Sequence, residues 1–297
     1  MLNDENAKRF HELKKCKETV EERLDGFFIG SKSYGTLMES MRYSLLNGGK
    51  RIRAAVCIKL CEASGGAMED AIFAACSIEM LHAYTLIHDD LPCMDDDDTR
   101  RGKPSNHIKY GESTAILAGD ALQAAAFSTL LESRLPHTAI VSMAQILANA
   151  AGFNGVCGGQ LLDLAGEGQR ITLAELTEIH SMKTVALMTA SAMIGVVAAN
   201  GGKDRLEAAR EYASSVGLAF QIRDDVLDTV STTEEIGKPA GSDCAKSKAT
   251  FVSLLGVARC EEIIQEETAK AIAALQGWFE DAGFLIWLAH HLADRKN

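Results

Sequence analysis

The segment Met68–Asp89 constrains the fold more than any other part of the chain. It carries charges only at Glu69, Asp70 and Glu79 before its acidic end and is apolar almost all round. A helix of that kind belongs at the centre of a bundle. At ~1.5 Å per residue it reaches about 33 Å, enough to cross a whole domain. Only four prolines occur, at 92, 104, 136 and 239, and all fall at breaks in the pattern. Gly-Gly pairs at 48–49, 65–66, 158–159 and 201–202 read as helix terminators. The pattern between these marks predicts helices near 5–28, 34–46, 50–64, 68–89, 112–134, 137–152, 173–180, 184–199, 204–229, 251–276 and 284–294. No β-branched alternating run, internal repeat or low-complexity linker interrupts them. The expectation is an all-α, single-domain bundle of ten or more helices over residues 1–297.

Composition narrows the function. With 47% hydrophobic and 24% charged residues, the chain has globular usage and is not disordered. Its 30 Lys+Arg against 41 Asp+Glu give a net charge of −11, which disfavours a nucleic-acid partner. No run approaches the roughly 18–20 apolar residues that span a bilayer, and the start is a charged amphipathic helix. A cytoplasmic protein with no membrane partner is therefore expected. The eight cysteines form no CxxC pair and read as buried small hydrophobes.

Two acidic constellations stand out. Within HDDLPCMDDDDTRRGK (88–103), Asp89, Asp90 and Asp95 to Asp98 crowd six carboxylates together. Pro92 must break the helix there, so the chain can fold Asp95 back beside Asp89. The second is QIRDDVLD (221–228), closing the stripe Leu206, Ala209, Ala213, Val216, Phe220, Asp224, Asp228. Asp224 and Asp228 lie one turn apart on one face. Carboxylates without His or Cys partners are hard ligands suited to Mg²⁺ or Mn²⁺, and Mg²⁺ commonly shares its shell with phosphates. An acidic run alone is most often a solvated face. Two of them, each ending a core-facing helix, are harder to dismiss.

Basic residues complete the pattern. Lys50 and Arg53 sit at a helix start, where backbone donors already favour an anion. No Walker A loop is present. Arg100-Arg101 follow the first acidic motif, and Lys183-Thr184, Lys238 and Lys248 lie at helix ends. Each alone reads as a solvated cation; together they could hold two phosphorylated substrates on an acidic chain.

Taken in order, GGKRIR (48–53), the DDxxxxD form at Asp89–Asp95 with RRG after it, GDAL (119–122), GGQLLD (158–163), MKT (182–184), FQIRDDVLD (220–228) and GKPAGSDCAKSKATF (237–251) resemble the trans-isoprenyl diphosphate synthases, in the bacterial farnesyl/geranylgeranyl branch. The resemblance covers nearly the whole chain. It implies an isoprenoid-synthase bundle around a central cavity, a homodimer, and Mg²⁺ as cofactor (three ions with bound diphosphate, replaceable by Mn²⁺). Isopentenyl diphosphate and allylic diphosphates are the implied partners.

Carried over by position, Asp89, Asp95 and Asp224, with Asp228 a weaker candidate, resemble metal ligands. Arg100, Lys183, Thr184, Gln221, Lys238 and Lys248 resemble contacts to the allylic diphosphate. Lys50, Arg53, His82 and Arg101 resemble the isopentenyl diphosphate site. The residues bearing most directly on catalysis are Asp89, Asp95, Arg100, Lys183, Asp224 and Lys248. Two departures occur: Ala54 stands where the family often has Pro, and 238–243 is loosely patterned.

The implied chemistry is head-to-tail condensation through an allylic cation. Tyr84 and Thr85 occupy the family's pocket-floor positions, five and four residues before Asp89. The aromatic at 84 leads to an expectation of farnesyl diphosphate (C15), with geranylgeranyl diphosphate (C20) the alternative. An HD-type phosphohydrolase would need further metal-binding histidines. A non-catalytic subunit would be expected to lack one acidic motif, and a terpene cyclase would lack GGKRIR.

Overall fold

The computed structural model describes residues 2–30, 32–230 and 248–295. Lys238 and Cys244 lie outside the described residues. The helices run α1 Leu2–Asp25, α2 Gly35–Leu45, α3 Ile52–Ala63, α4 Met68–Asp89, α5 Asn106–Tyr110, α6 Glu112–Leu131, α7 His137–Ala151, α8 Val156–Gly166, α9 Leu173–His180, α10 Ala186–Ala198, α11 Lys203–Val230, α12 Phe251–Leu255, α13 Val257–Leu275 and α14 Gly283–Ala293. The all-α expectation holds. A two-stranded ribbon, β1 Thr99–Arg100 and β2 Lys103–Pro104, is the only sheet among the described residues.

As its composition requires, α4 is central. It packs chiefly on α3 and α6, while α10 lies against α3, α7 and α11, and α11 against α13. Ala74, Ile78, Met80 and Leu81 are fully buried in one apolar cluster, with Leu122 and Leu130 of α6. A second cluster gathers Tyr212 of α11 with Leu285 and Leu288 of α14. Glu79, the charge in the middle of α4, is buried against Arg51, whose Nη1 donates to Glu79 Oε2 at 3.0 Å. Arg51 sits just before α3 in the left-handed region (φ 53) and also donates to Leu45 O. A buried acid is tolerated there because it is paired and hydrogen-bonded.

Four expectations need correction. The Gly158-Gly159 pair does not terminate a helix; it lies inside α8, which the sequence reading missed. The predicted helix 251–276 breaks at Gly256 (φ 76) into α12 and α13. Cys93 and Cys157 are exposed rather than buried. Finally, Met68–Asp89, Glu112–Leu131, His137–Gly166 and Leu173–Ala198 are long and apolar enough to cross a bilayer by length and composition. Single polar residues interrupt their runs without lowering the mean hydropathy much. In Met68–Asp89, 72% of the apolar window is buried inside the protein.

Candidate active site

α4 stops at Asp89 because Pro92 supplies no N–H and cannot continue the helix. The chain then turns back, as expected: Asp95 N–H donates to Asp89 O at 2.9 Å. This aims Asp95 at two lysines from distant elements. Lys248 Nζ, just before α12, lies 2.9 Å from Asp95 Oδ1, and Lys183 Nζ lies 4.0 Å from Asp95 Oδ2. Asp163 of α8 accepts from both lysines, at 2.6 Å from Lys183 and 3.3 Å from Lys248. Burial pushes the Asp163 carboxyl up, but the two ammonium groups outweigh it and hold it below its ordinary value. The sequence reading gave Asp163 no role, although it ends the GGQLLD motif.

Asp89 stands in a different field. Burial raises its carboxyl to about 6; Lys183 opposes the rise and Asp95 adds to it. A pair of crowded, partly desolvated carboxylates is a donor set that a hard divalent cation relieves, so the residues present fit Mg²⁺.

Lys183 and Thr184 lie in a π-helical turn, Ser181–Val185, between α9 and α10. Such turns insert an extra residue and are frequent at functional sites. α8 presses closely on this turn: a Cβ on Gly159 would overlap the Lys183 backbone nitrogen. Only glycine allows the approach, which explains the pair inside a helix. Thr184 Oγ1 donates to Gln221 Oε1 at 3.2 Å, and Gln221 Nε2 donates to Asp225 Oδ1 at 3.1 Å. The buried Asp225 also accepts from Phe251 N–H at 2.8 Å, tying α11 to α12. His180, ending α9, stacks on Phe251 with ring centroids 5.4 Å apart. Neither of its buried ring nitrogens has a hydrogen-bond partner. Burial lowers its pKa to about 4.

A second group is basic. Burial lowers the Arg53 pKa, and its Nε has no hydrogen-bond partner. His82 is held well below its usual range, first by burial and then by Arg53, Arg101, Arg51 and Arg100. Arg101 Nη1 donates to Gly48 O, which brings it over the GGKR loop. Lys50 has its pKa lowered by burial and by Arg295, with Asp224 opposing. This concentration of positive charge around a neutral imidazole suits an anion.

Several predicted residues are engaged otherwise. Arg100 Nε donates to Asp90 Oδ1 at 2.9 Å, and its guanidinium also pairs with Asp97. Arg295, near the C-terminal end, pairs with Asp224 and lies over the Phe220 ring at 3.9 Å. Asp228 is buried. No group of three His, Cys, Asp or Glu side chains that could hold a metal occurs among the described residues. Asp89, Asp95, Asp224 and Asp228 are thus not gathered into one ligand set; Asp95 pairs with Lys248 and Asp224 with Arg295. Thr85 Oγ1 donates to His82 O at 2.8 Å, and Tyr84 is 7% exposed.

An all-helical bundle with two acidic motifs and a basic pocket of this kind defines a prenyl-diphosphate synthase scaffold. The family model for polyprenyl synthetase matches residues 35–277, and the chain belongs to that family. It is 45% identical over 270 residues to Geranylgeranyl pyrophosphate synthase 3, chloroplastic, of Arabidopsis thaliana, covering 88% of this chain and 75% of that one. Among solved structures it is similar to geranylgeranyl pyrophosphate synthetase from Pyrococcus horikoshii, with a TM-score of 0.90 and 31% identity over 98% of this chain and 99% of that one. An FPP/GFPP synthase from Zymomonas mobilis matches with a TM-score of 0.83 and 34% identity, over 95% and 98% of the two chains. The prenyltransferase function follows from this family membership.

Proposed function

We propose that the chain is a Mg²⁺-dependent synthase that joins isopentenyl diphosphate head-to-tail to an allylic diphosphate such as dimethylallyl or geranyl diphosphate. The observation that carries this reading is the convergence of Asp95, Lys183, Asp163 and Lys248 from four separate segments beside the half-buried Asp89. Breaking an allylic carbon–oxygen bond builds negative charge on the leaving diphosphate. Bound metal ions would neutralise that charge. Asp89, Asp95 and Asp224, with Asp228 the weaker candidate, would hold them. Lys183, Lys248 and Arg100 supply further cationic donors at the leaving oxygens, with Thr184 and Gln221 beside them. Lys50, Arg53, Arg101 and the neutral His82 would hold the diphosphate of the second substrate. The apolar wall of α4 keeps water from the cation until the alkene attacks. The released diphosphate is the base for the last proton.

Product length divides the observations. The curated relatives carry geranylgeranyl names, which supports a C20 product better than the C15 product expected from the sequence. Tyr84 favours C15, because a packed ring below the acidic motif stops a growing tail. Large apolar side chains exposed on α6 (Ile116, Leu117), α7 (Val141) and α8 (Leu161), with Phe153 between α7 and α8, support a homodimer. The test is incubation with isopentenyl diphosphate, dimethylallyl diphosphate and Mg²⁺, followed by product sizing, on the native chain and on Tyr84→Ala. Release of phosphate without a prenyl product would overturn the reading. A longer product from Tyr84→Ala is the result expected if the ring is the floor.

A further inference from the structure

Tyr84 is fixed by two neighbours, Cys157 on α8 and His88 one turn further along α4. Its hydroxyl lies 3.2 Å from Cys157 Sγ, in the first turn of α8. Its ring meets the His88 ring edge-on, with centroids 5.1 Å apart and planes at 85°. His88 is itself anchored to α6, where Nε2 lies 3.0 Å from Ile116 O. It fits there because residue 119 is glycine; a Cβ at that position would overlap the imidazole. The GDAL motif thus supports His88 through Gly119, while Cys157, just before the Gly158-Gly159 pair, meets the Tyr84 hydroxyl directly.

A buried phenol needs a hydrogen-bond partner, and an aromatic edge contact fixes the plane of the ring. Together these two contacts select one rotamer of Tyr84. A swing to another staggered position would strand the hydroxyl and give up the contact with His88. The depth that a ring closes off depends on its rotamer as well as on its size.

We infer that Cys157 is a positioning residue for product length, holding the Tyr84 ring across the tail's path, with His88 on Gly119 as the second support. This rests on the reading that Tyr84 is the pocket floor. Serine at 157 can replace the thiol as a partner for the phenol, whereas alanine cannot.

The experiment is product sizing with isopentenyl and dimethylallyl diphosphates and Mg²⁺ on the full chain carrying Cys157→Ala, Cys157→Ser, Tyr84→Phe or Tyr84→Ala. Cys157→Ala should raise the share of products one isoprene unit longer than the native main product by about fivefold, with the rate of the first condensation within about twofold of native. That fivefold corresponds to about 1 kcal/mol, the size of one hydrogen bond. Cys157→Ser should restore the native distribution. Tyr84→Phe removes the same bond from its other side, so combining it with Cys157→Ala should add nothing. Native lengths from Cys157→Ala would overturn the inference. If Tyr84→Ala lengthens the product in that case, only the role of Cys157 fails; if it does not, the floor itself lies elsewhere.

Discussion

Lys248 Nζ lies 2.9 Å from Asp95 Oδ1 across 153 positions of sequence. The contact joins the start of α12 to the acidic turn after α4, and Asp163 on α8 shares the same ammonium. Burial alone would lower the Lys248 pKa; Asp163 and Asp95 outweigh it and keep the group charged. In the proposed reaction a lysine held this way would meet an incoming diphosphate already oriented, so less ordering would remain to be done on binding.

The proposed separation of the two substrate sites predicts separable mutants. Lys248→Ala should raise the KM for the allylic diphosphate by about ten- to a hundredfold, the loss of a charge-assisted contact of ~1.5–3 kcal/mol. Arg53→Ala should do the same for isopentenyl diphosphate. Steady-state kinetics with each substrate varied in turn measures both; equal effects on both substrates in both variants would contradict the assignment.

Asp163→Asn tests the shared acid. It keeps the shape and removes the charge that orients Lys183 and Lys248. We expect kcat/KM for the allylic substrate to fall about tenfold, with the KM for isopentenyl diphosphate changed little. A parallel loss for both substrates would point to general unfolding around α8.

Metal removal should abolish condensation, because the donor set at Asp89 and Asp95 is all carboxylate. Activity should return with Mg²⁺ or Mn²⁺ after chelation. Turnover persisting in excess chelator would count against the carboxylate roles.

His180 predicts a pH dependence of stability. Its pKa is about 4 in the folded protein and 6.5 when unperturbed. The unfolded chain therefore binds more protons between those values, and stability falls as the pH drops through that window. The loss should be about 2 kcal/mol between pH 7 and 5. Asp89, raised to about 6 by burial, acts in the opposite sense over part of the window, so the comparison must be with a variant. His180→Phe can keep the stack on Phe251 and should flatten the urea-unfolding stability profile by that amount. An unchanged profile would show that the imidazole protonates freely in the folded state.

The sequence by itself determined most of the helices and the positions of the charges, because helix formation is largely local. An apolar surface nearly all round marked α4, an apolar stripe marked α11, and Pro92 ended α4 so that Asp95 could return to Asp89. Motif order was enough to indicate the family. Other features were decided only by which helices pack together. Gly158-Gly159 reads locally as a stop, yet α8 runs through it, and glycine stands at 159 because the Lys183 backbone leaves no room for a Cβ. Asp163 acquires its role only when α8 meets the π-turn and the start of α12. The pairings of Arg295 with Asp224 and of Arg100 with Asp90 likewise reflect charges seeking partners inside a fold that no spacing rule encodes. Tyr84 was visible as an aromatic near the acidic motif, but its direction was not. Two atoms on other helices, Cys157 Sγ and the Ile116 carbonyl oxygen that anchors His88, set it.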